Sequence, residues 1–189
     1  MSRAYRVSVK ESVNRVIRAE DRVSTQLEII EVLPPEQMAG LLSDELERRG
    51  FQKEGEVLVR REKGVTITVE PATGTVSVVA EASEQTKVEG QKEGRAYDDV
   101  GAHAKQVRDN LRQELQRELE KKVSEKTAAL QGKVTDRLES ELGNLRQELD
   151  EVVNRVTAEA LKRKAAQMGQ IKEITEDPQA GSLTIVVEV

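Results

Sequence analysis

The segment Gln106–Met168, QVRDNLRQELQRELEKKVSEKTAALQGKVTDRLESELGNLRQELDEVVNRVTAEALKRKAAQM, contains no proline and has a regular apolar stripe. The stripe runs through Val107, Leu111, Leu115, Leu119, Val123, Leu130, Val134, Leu138, Leu142, Leu145, Leu149, Val152 and Val156, with Thr127 and Ala160 completing the row. The 14 steps of this row cover 53 residues, a mean step of roughly 3.8, above the 3.5 of a heptad coiled coil. Four-residue steps imply straight or slightly right-handed packing. An unbroken helix from Tyr97 to Met168 would be on the order of 100 Å long. Glu118–Lys122, Glu151–Arg155 and Glu159–Arg163 have the i,i+4 spacing of ion pairs on its outer face. Gly132 and Gly143 each cost about 1 kcal/mol relative to alanine, so a continuous helix and one bent or folded back at either glycine both stay open.

Working outward toward the N-terminus, residues 3–19 alternate with period two. Tyr5, Val7, Val9, Val13, Ile17 and Ala19 share one face, and Arg6, Ser8, Lys10, Ser12, Asn14 and Arg18 share the other. This is a long strand with one face covered. Glu20-Asp21 interrupts it, and Val23, Thr25, Leu27 and Ile29 resume it, which predicts a hairpin with Arg6, Arg15 and Arg18 set against Glu28 and Glu31. Pro34-Pro35 starts a helix over 35–49 with Met38, Leu41, Leu42 and Leu46 on its apolar face. Gly50 is its expected C′ residue, with Phe51 folding back on the last turn. Residues 57–61, 65–70 and 75–82 read as strands, joined by turns at 62–64 and 71–74. The polar stretch 83–96 reads as a linker or as a frayed extension of the last of them, and the extension, reaching beside the first long strand, is the favoured expectation.

Beyond the helix, Gly169 is a cap, Ile171 and Ile174 open a short strand, and residues 177–181 form a turn. Ser182–Val189, SLTIVVEV, is a strong β segment with Ile185, Val186 and Val187 in succession. An uncovered strand of this kind invites aggregation. It is expected either to return to the N-terminal sheet or to pair with a neighbouring subunit. The fold class is therefore α+β: an antiparallel sheet with one short helix, then a long helix, then a C-terminal strand returning to the sheet. Three segments follow: a β-rich head over 1–96, the long charged helix over 97–169, and a C-terminal hairpin or strand over 170–189.

Composition narrows the function. Of 189 residues, 34% are charged and only 2% aromatic, so the core is built from Val, Leu and Ile. The net charge of -5 is divided as follows: residues 1–96 hold 15 basic and 17 acidic side chains, residues 97–169 hold 14 of each, and residues 170–189 hold 1 basic and 4 acidic. No strongly basic segment exists, which weighs against nucleic acid as a partner. Cysteine is absent, which removes disulfide and thiol chemistry. No run approaches the ~18 apolar residues of a membrane span, and no apolar signal core opens the chain, so a cytoplasmic location follows by default.

Candidate chemistry is sparse. His103 is the only histidine, beside Asp98 and Asp99, too few ligands for a metal. The pairs Asp98-Asp99, Asp44-Glu45 and Asp150-Glu151 lack the apolar surroundings that would raise a carboxyl pKa. Gly90, Gly94 and Gly101 do not form a phosphate-binding fingerprint. Lys162-Arg163-Lys164 is suited to RNA or acidic lipid, but cations are also favoured at a helix C-terminus. No catalytic residue, cofactor or metal is expected.

The stripe of the long helix carries the functional reading. A head of ~90 residues spans only about 30 Å on compact-domain scaling, too short to cover it all. The remainder is left to self-folding or to a partner, and both stay open. Either way the expected function is that of a non-enzymatic adaptor or scaffold working through protein partners, with a homo-oligomer expected. The alternatives are a nucleic-acid or membrane-surface binding module using residues 162–164 and the first arginines, and, behind it, an enzyme with an unfamiliar site.

MSRAYRVSVKES (1–12), LEIIEVLPPEQMAGLLSDELERRGF (27–51) and GVTITVEPATGTVSVVAEA (64–82) together resemble the small accessory proteins of bacterial FtsH-linked ternary systems. Those systems pair a MoxR-type AAA ATPase with von Willebrand A domain proteins. The resemblance is best over residues 1–97 and extends less well to SLTIVVEV. It carries no catalytic motif, and it implies an adaptor or scaffold in a bacterial conflict or stress system built on an AAA ATPase.

Overall fold

A computed structural model describes residues 5–97, 101–177 and 182–188. Its elements are β1 (Tyr5–Gln26), α1 (Pro35–Arg48), β2 (Gln52–Glu54), β3 (Val57–Glu62), β4 (Val65–Glu70), β5 (Thr75–Ala96), α2 (Ala102–Met168), β6 (Gln170–Asp177) and β7 (Ser182–Glu188). Five strands form an antiparallel sheet in the order β1-β5-β4-β3-β2, and β6-β7 form a second sheet. The fold is α+β, as the sequence predicts.

The expected N-terminal hairpin is absent: β1 continues through Glu20-Asp21 as one strand of 22 residues. The phase of the alternation explains this. Val7, Val9, Ile17 and Ala19 are buried odd positions, and Val23 and Thr25 keep the same parity, so the two polar residues interrupt composition without shifting the face. The partner of β1 is β5, also 22 residues long, which does run through 83–96. Arg6 accordingly pairs with Glu93 at 2.7 Å rather than with Glu28 or Glu31.

The chain resolves into two compact units, one of residues 1–20 with 81–135 and the other of residues 21–80 with 136–189. In the first, Val7, Ala96 and Ala104 form a buried cluster to which Val107 and Leu111 add. In the second, Leu42, Leu46, Val69 and Val76 are wholly enclosed. Helix α1 ends there in a Schellman motif: the Phe51 N–H donates to the Leu46 carbonyl at 3.1 Å, and the Gly50 N–H to that of Glu47 at 3.0 Å. Gly50 supplies the φ of +86° this requires, and Phe51 is buried against the turn. Between β3 and β4, Lys63 and Gly64 both have positive φ, the signature of a two-residue type I′ turn.

Helix α2 runs unbroken for 67 residues, so of the two forms left open by Gly132 and Gly143 the continuous one is observed. Nothing lies within 4 Å of a side chain placed at either glycine, so they sit in open space and weaken the helix without breaking it. Residues 98–100, part of the expected helix start, lie outside the described residues.

The C-terminal strand does not return to the main sheet; β7 pairs with β6 from Gln170↔Glu188 to Asp177↔Ser182. One reason is the short connection. Only Gly169 separates α2 from β6, and the Glu188 carbonyl oxygen occupies the space where a Cβ at 169 would lie. Both strands are partly or fully exposed rather than covered on both faces. The expected turn at 177–181 falls largely on residues 178–181, outside the described set.

Candidate interaction surface

The stripe of α2 is largely enclosed by the chain's own residues. Leu115, Leu119, Val123, Leu130, Val134, Leu138, Leu145, Leu149, Val152 and Val156 are buried, and Val107, Leu111 and Leu142 are half-buried. In the first unit, glycines make this possible. A Cβ at Gly90 would stand 2.6 Å from Leu115 Cδ1, and one at Gly94 would stand 3.0 Å from Leu111 Cδ1. These glycines are notches in β5 that receive the helix leucines. The expectation that much of the stripe would be left uncovered is not met, since within each unit its residues are mostly buried.

The second unit adds a charged clamp that the sequence did not disclose. The Arg60 guanidinium donates two hydrogen bonds to the Glu148 carboxylate, both at 2.7 Å, and lies 4.6 Å above the Phe51 ring. Bidentate pairing and ring stacking both favour arginine over lysine here. The hydrogen bonds that Arg60 donates to Glu148 hold the Arg60 pKa above its ordinary value, outweighing the opposing effect of burial. Beside it, Arg49 bonds Glu45 at 3.2 Å and Glu151 at 3.1 Å, and Arg155 approaches the same Glu45 at 3.5 Å. Burial lowers the Arg49 pKa, but its two carboxylate partners raise it further, for a net upward shift. Two of the expected i,i+4 pairs are thus diverted: Glu151 and Arg155 turn to α1. In the first unit Glu118 turns to Lys92 at 2.7 Å, while Arg163–Glu159 forms as expected at 3.3 Å.

Next to the clamped region lies an open groove of 760 Å³. Val76 and Val78 of β5 line it with Val23 and Leu27, while Leu142 and Leu149 of α2 form its opposite side. Glu28, Arg146 and Asp150 also line it, so an apolar trough bears charges of both signs. Leu142 is the one stripe residue that meets this opening while only half-buried. The period-two face of Val23, Thr25 and Leu27 was legible in sequence; the groove beneath it depends on tertiary packing.

The remaining candidates do not converge. Among the described residues, no three His, Asp or Glu gather in a group able to hold a metal ion. His103 is exposed, and its Nδ1 accepts a hydrogen bond from the Tyr97 N–H at 3.3 Å. Its neighbours Asp98 and Asp99 lie outside the described residues. Glu45 is engaged by arginines, and Asp150 is exposed. In the basic cluster, Lys162 pairs with Glu176 and Arg163 with Glu159. Among the described residues no helix is long and apolar enough to cross a membrane.

No curated protein and no solved structure matches the chain. A family match covers residues 1–189. The resemblance first met in residues 1–12, 27–51 and 64–82 thus extends over the full length, and the chain belongs to the family described as FtsH ternary system domain X5.

Proposed function

We propose that the chain is a non-enzymatic adaptor that acts by protein–protein association within an FtsH-linked ternary system, on the cytoplasmic side. The family supplies the system, and the groove between Val23, Val78 and Leu142 carries the reading. It is apolar in its floor, open to solvent and edged with charge, the character of a protein-binding trough. The occupant is an apolar segment of another protein of the same system, for which the AAA ATPase and the von Willebrand A protein are the first candidates. The stripe of α2 contributes indirectly, by holding the helix wall of the trough in place.

Titration of the purified chain against each of those two proteins, followed by calorimetry, tests this. Binding by one of them, weakened at least tenfold by Leu142→Glu with the far-ultraviolet spectrum unchanged, is the expected result. Absence of binding by both, or binding indifferent to Leu142→Glu and Val23→Glu, overturns the reading. The nucleic-acid alternative gains nothing from the basic cluster, since two of its three cations already have carboxylate partners.

A further inference from the structure

The two strands of the small sheet treat their outer edges differently. An exposed edge is normally defended by charge, by proline or by a bulge. Strand β6 has two of these defences: Lys172 is an extra residue between the paired Ile171 and Glu173, and Lys172, Glu173, Glu176 and Asp177 are charged. Glu176 is also tied to Lys162 of α2. Strand β7 has no such defence. Its seven residues SLTIVVE pair without a bulge of their own, and Glu188, the only charged one, is bonded to Lys172 at 2.7 Å. Leu183, Ile185 and Val187 are half-buried on one face, and Val186 is 44% exposed on the other. A two-stranded sheet alone is marginal in water, whereas three or more strands with an apolar face suffice.

We infer that β7 is a pairing edge for β7 of a second copy of this chain, joined antiparallel about a two-fold axis at Ile185. The sequence is complementary to itself in that register. Residue 185 meets its own copy, Leu183 meets Val187, Thr184 meets Val186, and Ser182 meets Glu188, so no like charges are opposed. Six aliphatic side chains from Leu183, Ile185 and Val187 of the two copies then share one face. The resulting four-stranded sheet runs β6-β7-β7-β6 and presents only the defended β6 edges, so pairing closes at two copies and does not propagate. This goes beyond the adaptor reading and needs no partner but the chain itself, so its failure leaves that reading untouched.

Sedimentation equilibrium of the full chain tests it. The mass is expected to rise with concentration from 21.0 kDa to twice that value. Thr184→Lys with Val186→Lys opposes lysines twice across the axis and abolishes the doubling, while Thr184→Glu with Val186→Lys opposes opposite charges and restores it. Because the chain lacks cysteine, single cysteines read the register independently. Ile185→Cys brings two thiols within the roughly 4.4–6.8 Å Cα separation that a disulfide spans, and crosslinks on mild oxidation. Ser182→Cys places them about 20 Å apart and does not. A wild-type chain that stays monomeric at its highest soluble concentration overturns the inference. So does a dimer indifferent to the paired lysines, or equal crosslinking at both positions.

Discussion

The two compact units hold different stretches of the same helix by different means. In the first, α2 is received by notches: Gly90 and Gly94 leave room for Leu111 and Leu115, and the flanking ion pairs are exposed. Lys92, for example, reaches Glu114 and Glu118, both more than half exposed. In the second, apolar packing is joined by an arginine clamp in which the Arg49 and Arg60 side chains are only 16% exposed and Glu148 is 24% exposed. The contrast shows how position sets the worth of a charge. The same residue types screen one another at a wet surface and bind firmly where water is displaced.

Four measurements sharpen or break that contrast. Leu119→Ala, at a fully buried site of the first unit, is expected to cost about 2–5 kcal/mol in urea unfolding. A cost below that of Lys92→Ala would mean the notches do not carry the packing. Next, Glu148→Ala strands a mostly buried guanidinium. The usual penalty for a broken buried pair, discounted for partial exposure, gives about 2–3 kcal/mol. That loss should hardly change between low and high salt, whereas the few tenths to about 1 kcal/mol lost in Lys92→Ala should fade with salt. Equal salt sensitivity would erase the distinction.

The third measurement is a pair of opposite sign. Gly90→Ala presses a methyl into Leu115 and should destabilise by about 1 kcal/mol, while Gly132→Ala, in open space on α2, should stabilise by up to about 1 kcal/mol. The smallest effect is in acid. Hydrogen bonds from Arg61 and Lys87 depress the Glu54 and Glu89 carboxyls below the ordinary value of 4.5. A depressed carboxyl adds stability above its unfolded value and loses it as pH falls through the folded one. Both groups are fully exposed, so carboxyl-resolved titration should show late protonation with almost no change in melting.

Much of this was legible in the residues. Helix α1, its glycine cap and the stripe of α2 rest on local rules of spacing and capping, and local rules can be read along a chain. The misreadings came from treating composition as geometry. Glu20-Asp21 looked like a turn because it is polar, although the parity of Val23 and Thr25 already showed a continuing strand. Gly132 and Gly143 left the course of the helix open because glycine weakens helices, and a helix fastened on both sides of them by buried leucines tolerates the loss. The Arg60–Glu148 pair joins residues 88 apart, and no local pattern signals it. The groove carried no such signal, since its walls come from three segments distant in the chain, around residues 23–28, 76–78 and 142–154.

The joint at Gly169 has a mechanical consequence. One residue links a helix of 67 to the hairpin that follows, and one extended residue offers at most about 3.6 Å of slack. A pull on the hairpin is therefore taken up by the helix backbone almost at once. Whatever grips β7 grips a handle, and the shaft behind it is α2.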